Sequence, residues 1–390
     1  MMKQGLLRIV SREYFFVLLV VVVTLCLHLA VINNPPEQMF DEQHYVPDAL
    51  SIIDGHGTNR GEHPPLGKLI IAANILLFRE SNNAVSWRFF GILFGTAGIF
   101  IFYLICRRLN VSRTTASLAA FLLGFENLSF VQAGIAMLDV FSVTFMLLCF
   151  WLYLRGNYAM SGISGALAAL VKLTGVLAIG VIVLHWLFTR RSRPVYFIAG
   201  LIISAAAFVA LLPVFNYPIY NYWINPLENI QMMFERMSSL TFANAAHPSM
   251  SPPWEWIYLP LIMPYWLKPH YEGAISFNLW ALILPSMAYM IWRAWRRKDI
   301  DAPVFALSWF TAAYVIWIPI VLISNRVTYI YYFYPAVGAV CLAVAIGLSR
   351  IWDLRYTIKG RARHAATWSV LGYILLHLVV FGILAPFYSW

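Results

Sequence analysis

The sequence predicts an all-α polytopic membrane protein that crosses the bilayer about eleven times, and three observations carry that reading. First, the 390 residues are 61% hydrophobic and only 11% charged, with a mean hydropathy of +0.72. A soluble globule carries roughly 25% charged residues. Second, the apolar residues fall in runs near the ~20 residues a spanning helix needs. Third, most of the 27 Lys and Arg residues gather in every second connection between those runs. That alternation is the positive-inside pattern, and it places the N-terminus in the cytoplasm. Orientation thus accounts for the net charge of +10, which excludes reading it as a nucleic-acid face.

The first run, 14–31, follows Lys3, Arg8 and Arg12. It is long for the apolar part of a signal peptide, and no small-x-small cleavage pattern follows Leu29. It therefore reads as an uncleaved anchor. A long outer loop, about 32–83, comes next; within it, Pro64 and Pro65 open a candidate surface helix over 64–79. The span 84–106 returns to Arg107, Arg108 and Arg113. Spans 114–129 and 131–153 lead out and back to Arg155, and 158–173 and 175–189 to Arg190, Arg191 and Arg193. Each of these two pairs can be divided at more than one place. Span 195–216 leads to a second long outer loop, about 217–275, rich in Pro, Trp and Tyr. Inside it, Met232, Met233, Phe234, Met237 and Leu240 oppose Glu228, Glu235 and Arg236, the pattern of an interfacial helix. Spans 276–292, 303–323, 329–349 and 367–385 complete the set. Their inner connections carry Arg293, Arg296, Arg297 and Lys298, then Arg350, Arg355, Lys359, Arg361 and Arg363. Cys26, Cys106, Cys149 and Cys341 fall in or at the ends of spans and read as small buried hydrophobes. No internal repeat or low-complexity tract interrupts 1–390, which reads as one membrane domain.

The remaining cations are Arg60, Lys68, Arg79, Arg88, Lys172, Arg236, Lys268 and Arg326. All map to the outer half of this topology, as do Glu126 and Asp139; Asp139 lies ~12 Å into its span at 1.5 Å per residue. A charge in hydrocarbon costs about 2.5–3.5 kcal/mol on insertion scales. Taken singly, each of these residues reads as a structural ion pair or a snorkelling side chain. Taken together, they predict one wet cavity at one membrane level, where acids and bases neutralise each other. No ionisable residues continue into the inner half, so a through-membrane relay is excluded. Cations to hold a phosphate and a carboxylate for proton transfer suit an enzyme acting on a lipid-linked phosphate.

The most polar stretches, "FDEQHY" at 40–45 and "GEHPPLGK" at 61–68, lie in the first outer loop. The second is not a phosphate-cradling Walker A loop. Five residues separate Gly61 from Gly67, Leu69 follows Lys68, and Pro64 and Pro65 lack the N–H groups such a loop uses. Asp41, Glu42, His44, His56 and His63 are the ligand types of a divalent cation, in a spacing that matches no helix-face or tetrahedral pattern.

In chain order the motifs are Phe40-Asp41-Glu42, His63-Pro64-Pro65-Leu66-Gly67-Lys68, Arg88-Phe89, Phe125-Glu126-Asn127 and Met137-Leu138-Asp139. Lys172-Leu173-Thr174-Gly175, Pro253-Trp254-Glu255-Trp256 and Arg326 with Tyr331 to Ala336 follow. In this order they resemble the protein O-mannosyltransferases and related polyprenyl-phosphate-dependent glycosyltransferases of the GT-C class. The chain departs from the family pattern at Gly134, where an Arg is common, and at Leu173, where an aromatic is common. The β-trefoil domain that eukaryotic members insert in the second long loop is absent, which points to a prokaryotic type.

The resemblance implies eleven spans and a multi-pass place in a prokaryotic cell membrane. It implies inverting transfer of mannose or a related sugar from a dolichyl or polyprenyl phosphate on the extracytoplasmic side. Asp41 would be the general base, with Glu42 beside it; Glu42 and His63 would position sugar or acceptor. Arg88, Lys172 and Arg326 are the candidates for the leaving phosphate, and Lys68 belongs to the substrate-binding motif. Glu126 and Asp139 position substrate or balance the cations. The acceptor is Ser/Thr of an exported protein; the same donor chemistry onto a lipid-linked glycan or lipid A-like molecule is the alternative. A flippase or transporter would need charges in both membrane halves and a pair of related repeats, and the sequence has neither. No cofactor is firmly implied, and a divalent cation stays open.

Overall fold

The computed structural model describes residues 13–80, 82–244, 247–296 and 300–387. Lys3, Arg8, Arg12, Arg297 and Lys298, used above to orient the chain, lie outside the described residues. The helices follow the apolar runs. They are α1 (Phe15–Val31), α2 (Glu42–Ile53), α3 (Pro65–Phe78), α4 (Val85–Arg108), α5 (Arg113–Gly124) and α6 (Asn127–Gly134). Then come α7 (Leu138–Leu154), α8 (Tyr158–Val171), α9 (Leu177–Thr189), α10 (Pro194–Tyr220), α11 (Pro226–Ser238) and α12 (Glu255–Tyr258). A two-stranded hairpin, β1 (Met263–Trp266) with β2 (Tyr271–Gly273), precedes α13 (Phe277–Trp280) and α14 (Ile283–Trp295). The last are α15 (Asp301–Phe310), α16 (Trp317–Ser324), α17 (Tyr334–Leu354) and α18 (Arg361–Leu384).

Among the described residues, five helical segments are long and apolar enough to cross a membrane by length and composition. They are Val85–Arg108, Pro194–Tyr220, Asp301–Ser324, Ile330–Leu354 and Arg361–Leu384. The bent pair α5–α6 makes a sixth if taken as one span. The other expected spans are built on shorter helices. Asn221 and Asn325 close α10 and α16 in the left-handed conformation, a common way to end a helix.

The expected division between 114–129 and 131–153 is not where the chain breaks. α5 and α6 meet at 59° around Phe125 and Glu126. Residues Ile135 and Met137 are extended, and α7 starts only at Leu138. The cause is polar. The Glu126 carboxylate caps α6 by accepting from Ser129 N at 2.6 Å and also accepts from Ser276 N at 3.0 Å. A helix end inside a bundle needs such partners for its free N–H groups.

α17 lies at the centre of the bundle and is buried along most of its length. Its Ala, Gly and Val side chains let neighbours come close. At Gly338 a Cβ would sit 2.3 Å from the Trp309 ring, and Trp309 Nε1 donates to Pro335 O at 2.7 Å. α8 packs between α7 and α10, and α4 packs on α7. α11 is amphipathic and packs one side on the bundle. Met233 is buried, together with Asn229, whereas Phe234 and Leu240 are exposed. Asn229 accepts from Asn216 Nδ2 of α10 at 3.2 Å, which fixes which side turns inward. Cys106, Cys149 and Cys341 are buried as expected, but Cys26 is exposed, and all four are free.

Candidate active site

The first long loop, the second long loop and the helix breaks meet at one end of the bundle. Phe40 stands at φ +50°, and Asp41 follows as the N-cap of α2. The main-chain oxygen of Asp41 accepts from the amides of His44 and Tyr45, both at 2.9 Å, and starts the helix. At 3.6 residues per turn, successive side chains leave a helix about 100° apart. Asp41 and Glu42 therefore face different surroundings.

Glu42 turns inward, where both its side chain and that of Arg88 are 0% exposed. Arg88 Nε donates to Glu42 Oε1 at 2.8 Å, and Arg88 Nη2 to Glu42 Oε2 at 2.7 Å. The same carboxylate accepts from Met39 N at 3.1 Å and Ala136 N at 2.9 Å. The other Arg88 donors reach Ile32 O at 3.0 Å, Pro35 O at 2.6 Å and Glu37 O at 2.8 Å. Guanidinium has five N–H donors, and every one is used. This corrects two expectations: Arg88 has no donor left for a phosphate, and Glu42 has no lone pair left for substrate or metal. The pair ties the first loop to α4 and to the extended segment before α7.

Asp41 turns the other way, half-buried, onto a cleft of about 350 Å³ lined by Phe40, Gln43, His44, His247, Met263, Tyr329 and Tyr331. Lys172 stands where α8 ends, with extended φ −150° and ψ 133°, so its side chain leaves the helix line. Its ammonium donates to both oxygens of Asp139 at 2.8 and 2.7 Å. It lies 5.3 and 5.5 Å from the ring centres of Tyr331 and Tyr332. Two of its three donors serve Asp139, and the ammonium lies over both rings. Burial pushes the Asp41 carboxyl up to about 6. The Lys172 charge opposes that rise, and the Asp139 charge adds to it. A carboxylate poised there can take a proton near neutral pH.

His63 Nε2 lies 3.2 Å from the Tyr45 hydroxyl. Burial, then the charges of Lys172, Lys68, Arg326 and Arg60, hold its imidazole well below the usual range, so it is neutral. Arg326 Nη1 donates to Met237 O at 3.1 Å, and its backbone pairs with Thr241. Thus Asp41, His63, Asp139, Lys172 and Arg326 share one neighbourhood. Lys68 faces its own loop. It is 2% exposed and donates to Thr58 Oγ1 at 3.0 Å and Arg60 O at 2.9 Å. Thr58 in turn donates to Asp48 Oδ2 at 2.7 Å. Lys68 therefore closes residues 48–68 on themselves, with two of its three donors spent inside that loop. Glu126 balances backbone amides, not the cations.

Among the described residues no group of three or more His, Cys, Asp or Glu is placed to hold a metal ion. Asp41, Glu42, His44, His56 and His63 do not converge. Glu42 is spent on Arg88, and His44 and His56 are exposed. Sequence reasoning missed the aromatic wall of the cleft. Tyr331 was visible only as part of a Tyr-rich stretch, and His247 lay in a loop with no spacing signal, as did Tyr265, which stacks behind Phe40.

A family model described as dolichyl-phosphate-mannose-protein mannosyltransferase matches residues 18–225, just over half of the chain. A polyprenol-phosphate-mannose–protein mannosyltransferase of Mycobacterium tuberculosis is 35% identical over 138 residues, 34% of this chain and 26% of the relative. That of Mycolicibacterium smegmatis is 34% identical over 134 residues, 33% of this chain and 26% of the relative. The matched stretch thus spans about a quarter of these relatives' length. Among solved structures, the Saccharomyces cerevisiae Pmt1-Pmt2 complex bound to the sugar donor aligns with a TM-score of 0.76 at 13% identity. That alignment covers 96% of this chain and 90% of the other. ArnT from Cupriavidus metallidurans bound to undecaprenyl phosphate aligns with a TM-score of 0.60 at 17% identity, over 96% and 77%. AglB of Archaeoglobus fulgidus aligns with 0.61 at 12% identity, over 97% and 56%. At such identities these likenesses speak for the fold alone.

Proposed function

The chain belongs to the dolichyl-phosphate-mannose-protein mannosyltransferase family and has the GT-C membrane fold, and from that premise we propose its reaction. It transfers mannose from a polyprenyl or dolichyl phosphate to Ser/Thr hydroxyls of exported protein, with inversion at the anomeric carbon. It does so as a single membrane domain, on the extracytoplasmic side of a prokaryotic cell membrane.

The observation that carries this reading is Asp41, open to a cleft and backed by the Lys172–Asp139 pair. The Asp41 carboxylate takes the proton of the acceptor hydroxyl as that oxygen bonds to C1 of the sugar. The bond from C1 to the phosphate oxygen breaks, and the lipid phosphate leaves with the electron pair. The proton then passes from Asp41 to water. A hydroxyl is a weak nucleophile at neutral pH, so a positioned base is the least it needs. The third Lys172 donor, Arg326 and the neutral His63 stand where the growing phosphate charge is held. Glu42 and Asp139 are engaged with cations at 2.7 Å. Asp41 is then the carboxylate left for chemistry, which supports single displacement and hence inversion.

Incubation of the purified protein in lipid nanodiscs with radiolabelled polyprenyl-phosphate-mannose and membrane acceptors tests the reading. Label in alkali-labile protein conjugates is expected. Label that stays in lipid-linked glycan would move the acceptor to the alternative class, and no transfer to either would overturn the reaction.

A further inference from the structure

Phe40 is a bulky residue at φ +50° directly before the proposed base. Side chains of this kind rarely hold that conformation unless their surroundings over-determine it. Here two contacts do so. The Phe40 ring lies on the Tyr265 ring, 4.2 Å between centres and 5° from parallel. Its edge meets Tyr331 at 5.8 Å and 79°. Both partners are fixed in turn. Gln132 Nε2 donates to the Tyr265 hydroxyl at 2.7 Å. The Tyr265 ring occupies space over Gly273, where a Cβ would fall within 2.5 to 2.8 Å of it. Tyr331 is buried, stacks on Tyr329 at 5.6 Å and lies under the Lys172 ammonium.

We propose that Tyr265, Phe40 and Tyr331 form an aromatic clamp that positions the Asp41 carboxylate in the cleft it lines with Tyr331. The clamp rests on the reading of Asp41 as base. Glu42, held by Arg88, sets the rotation of α2; Phe40 sets the angle at which the chain enters it. Together they aim Asp41 into the cleft, and Tyr331 links that aim to the residue that carries the phosphate-side cation. The three aromatics are positioning residues: they act through Asp41 and Lys172.

The test compares Phe40→Leu, Phe40→Tyr, Tyr265→Leu and the Phe40→Leu/Tyr265→Leu double variant, with thermal unfolding followed alongside transfer. Misplacing a reacting group by ~1 Å can cost about 10²-fold. Phe40→Leu is expected to lower kcat by about 10- to 100-fold, with KM for the donor within about twofold of wild type. Phe40→Tyr should restore most of the rate, because it restores the stacking face. The double variant should be no slower than the slower single, because both lesions open one device. Should Phe40→Leu fail to unfold cooperatively, Tyr265→Leu reads the same quantity from the partner ring. Unchanged kcat in the Leu variants, or losses that multiply in the double, would overturn the clamp. Asp41→Asn run in parallel separates the two ideas. Transfer retained by Asp41→Asn removes the base itself, whereas an inactive Asp41→Asn beside a fully active Phe40→Leu removes only the clamp.

Discussion

Glu42 and Arg88 stand 46 residues apart in the chain and meet in two hydrogen bonds of 2.8 and 2.7 Å, with neither side chain exposed to solvent. Breaking a buried pair by removing one partner costs about 3–5 kcal/mol, because the other charge is left buried and unpaired. Arg88→Met and Glu42→Leu are each expected to lower the unfolding midpoint sharply. Lysine has three donors and no fork, so Arg88→Lys should also fail to restore stability. Circular dichroism melts of the solubilised protein decide this. Wild-type melting of Arg88→Met would remove the pair as the anchor of the first loop.

Asp41→Asn separates activity from stability. Loss of the base should cost about 10²–10⁴ in rate. The folded carboxyl titrates at about 6, above its ordinary value of 3.8, because burial disfavours its charge. The favourable contribution of the neutral form is then complete below 3.8 and lost as pH rises through about 6. At pH 7.5 the asparagine variant should therefore melt no lower, and by this argument higher, than wild type. A lower melting point together with full activity would contradict both halves.

The same titration fixes the acid limb of the pH–rate profile. kcat/KM should fall about tenfold per pH unit below pH ~6, as protonated Asp41 can no longer accept the acceptor's proton. The limb should vanish from the residual activity of Asp41→Asn. A profile flat from pH 7 to 4.5 would detach Asp41 from the proton transfer.

The Lys172–Asp139 pair predicts compensation without rescue. Lys172→Met leaves Asp139 buried and alone, and should destabilise by about 3–5 kcal/mol. Adding Asp139→Asn removes the orphaned charge and should recover much of the melting temperature. Transfer should stay low, because the cation proposed for the phosphate is still missing. Recovery of transfer in the double variant would assign Lys172 a structural role only.

Among the described residues the Arg326 side chain makes one hydrogen bond, to Met237 O at 3.1 Å, which leaves guanidinium donors to offer. Arg326→Ala should raise KM for the lipid-phosphate donor or lower kcat, with little change in melting. Unchanged kinetics would take it out of the phosphate site. Arg88, with its donors already committed, is the contrasting case.

The apolar runs were legible because hydropathy is a property of composition over about 20 residues. The pairing of Lys172 with Asp139 and of Arg88 with Glu42 follows from the cost of stranded charges in an oily chain, which the sequence makes legible as a need without naming the partners. What the sequence did not disclose was direction. Glu42 and Asp41 are adjacent carboxylates with opposite fates, and only the helix phase sends one to Arg88 and the other to the cleft. Arg88 and Lys172 are both buried cations, but carbonyl oxygens at Ile32, Pro35 and Glu37 exhaust the first. Such partners belong to main-chain path, which residue types do not encode. The break before α7 was misplaced for the same reason, since Glu126 answers an amide 150 positions away at Ser276.

The extended stretch between Gly134 and Leu138 makes chain length there a hidden constraint. On one side the Ala136 amide is committed to Glu42; on the other, Asp139 opens α7 facing Lys172. Adding or deleting one residue would turn every side chain of α7 through about 100° relative to that amide. An ammonium would lose its counterion while no apolar residue had changed. A hydropathy plot would register nothing, and the lesion would surface only as poor folding and loss of the proposed transfer.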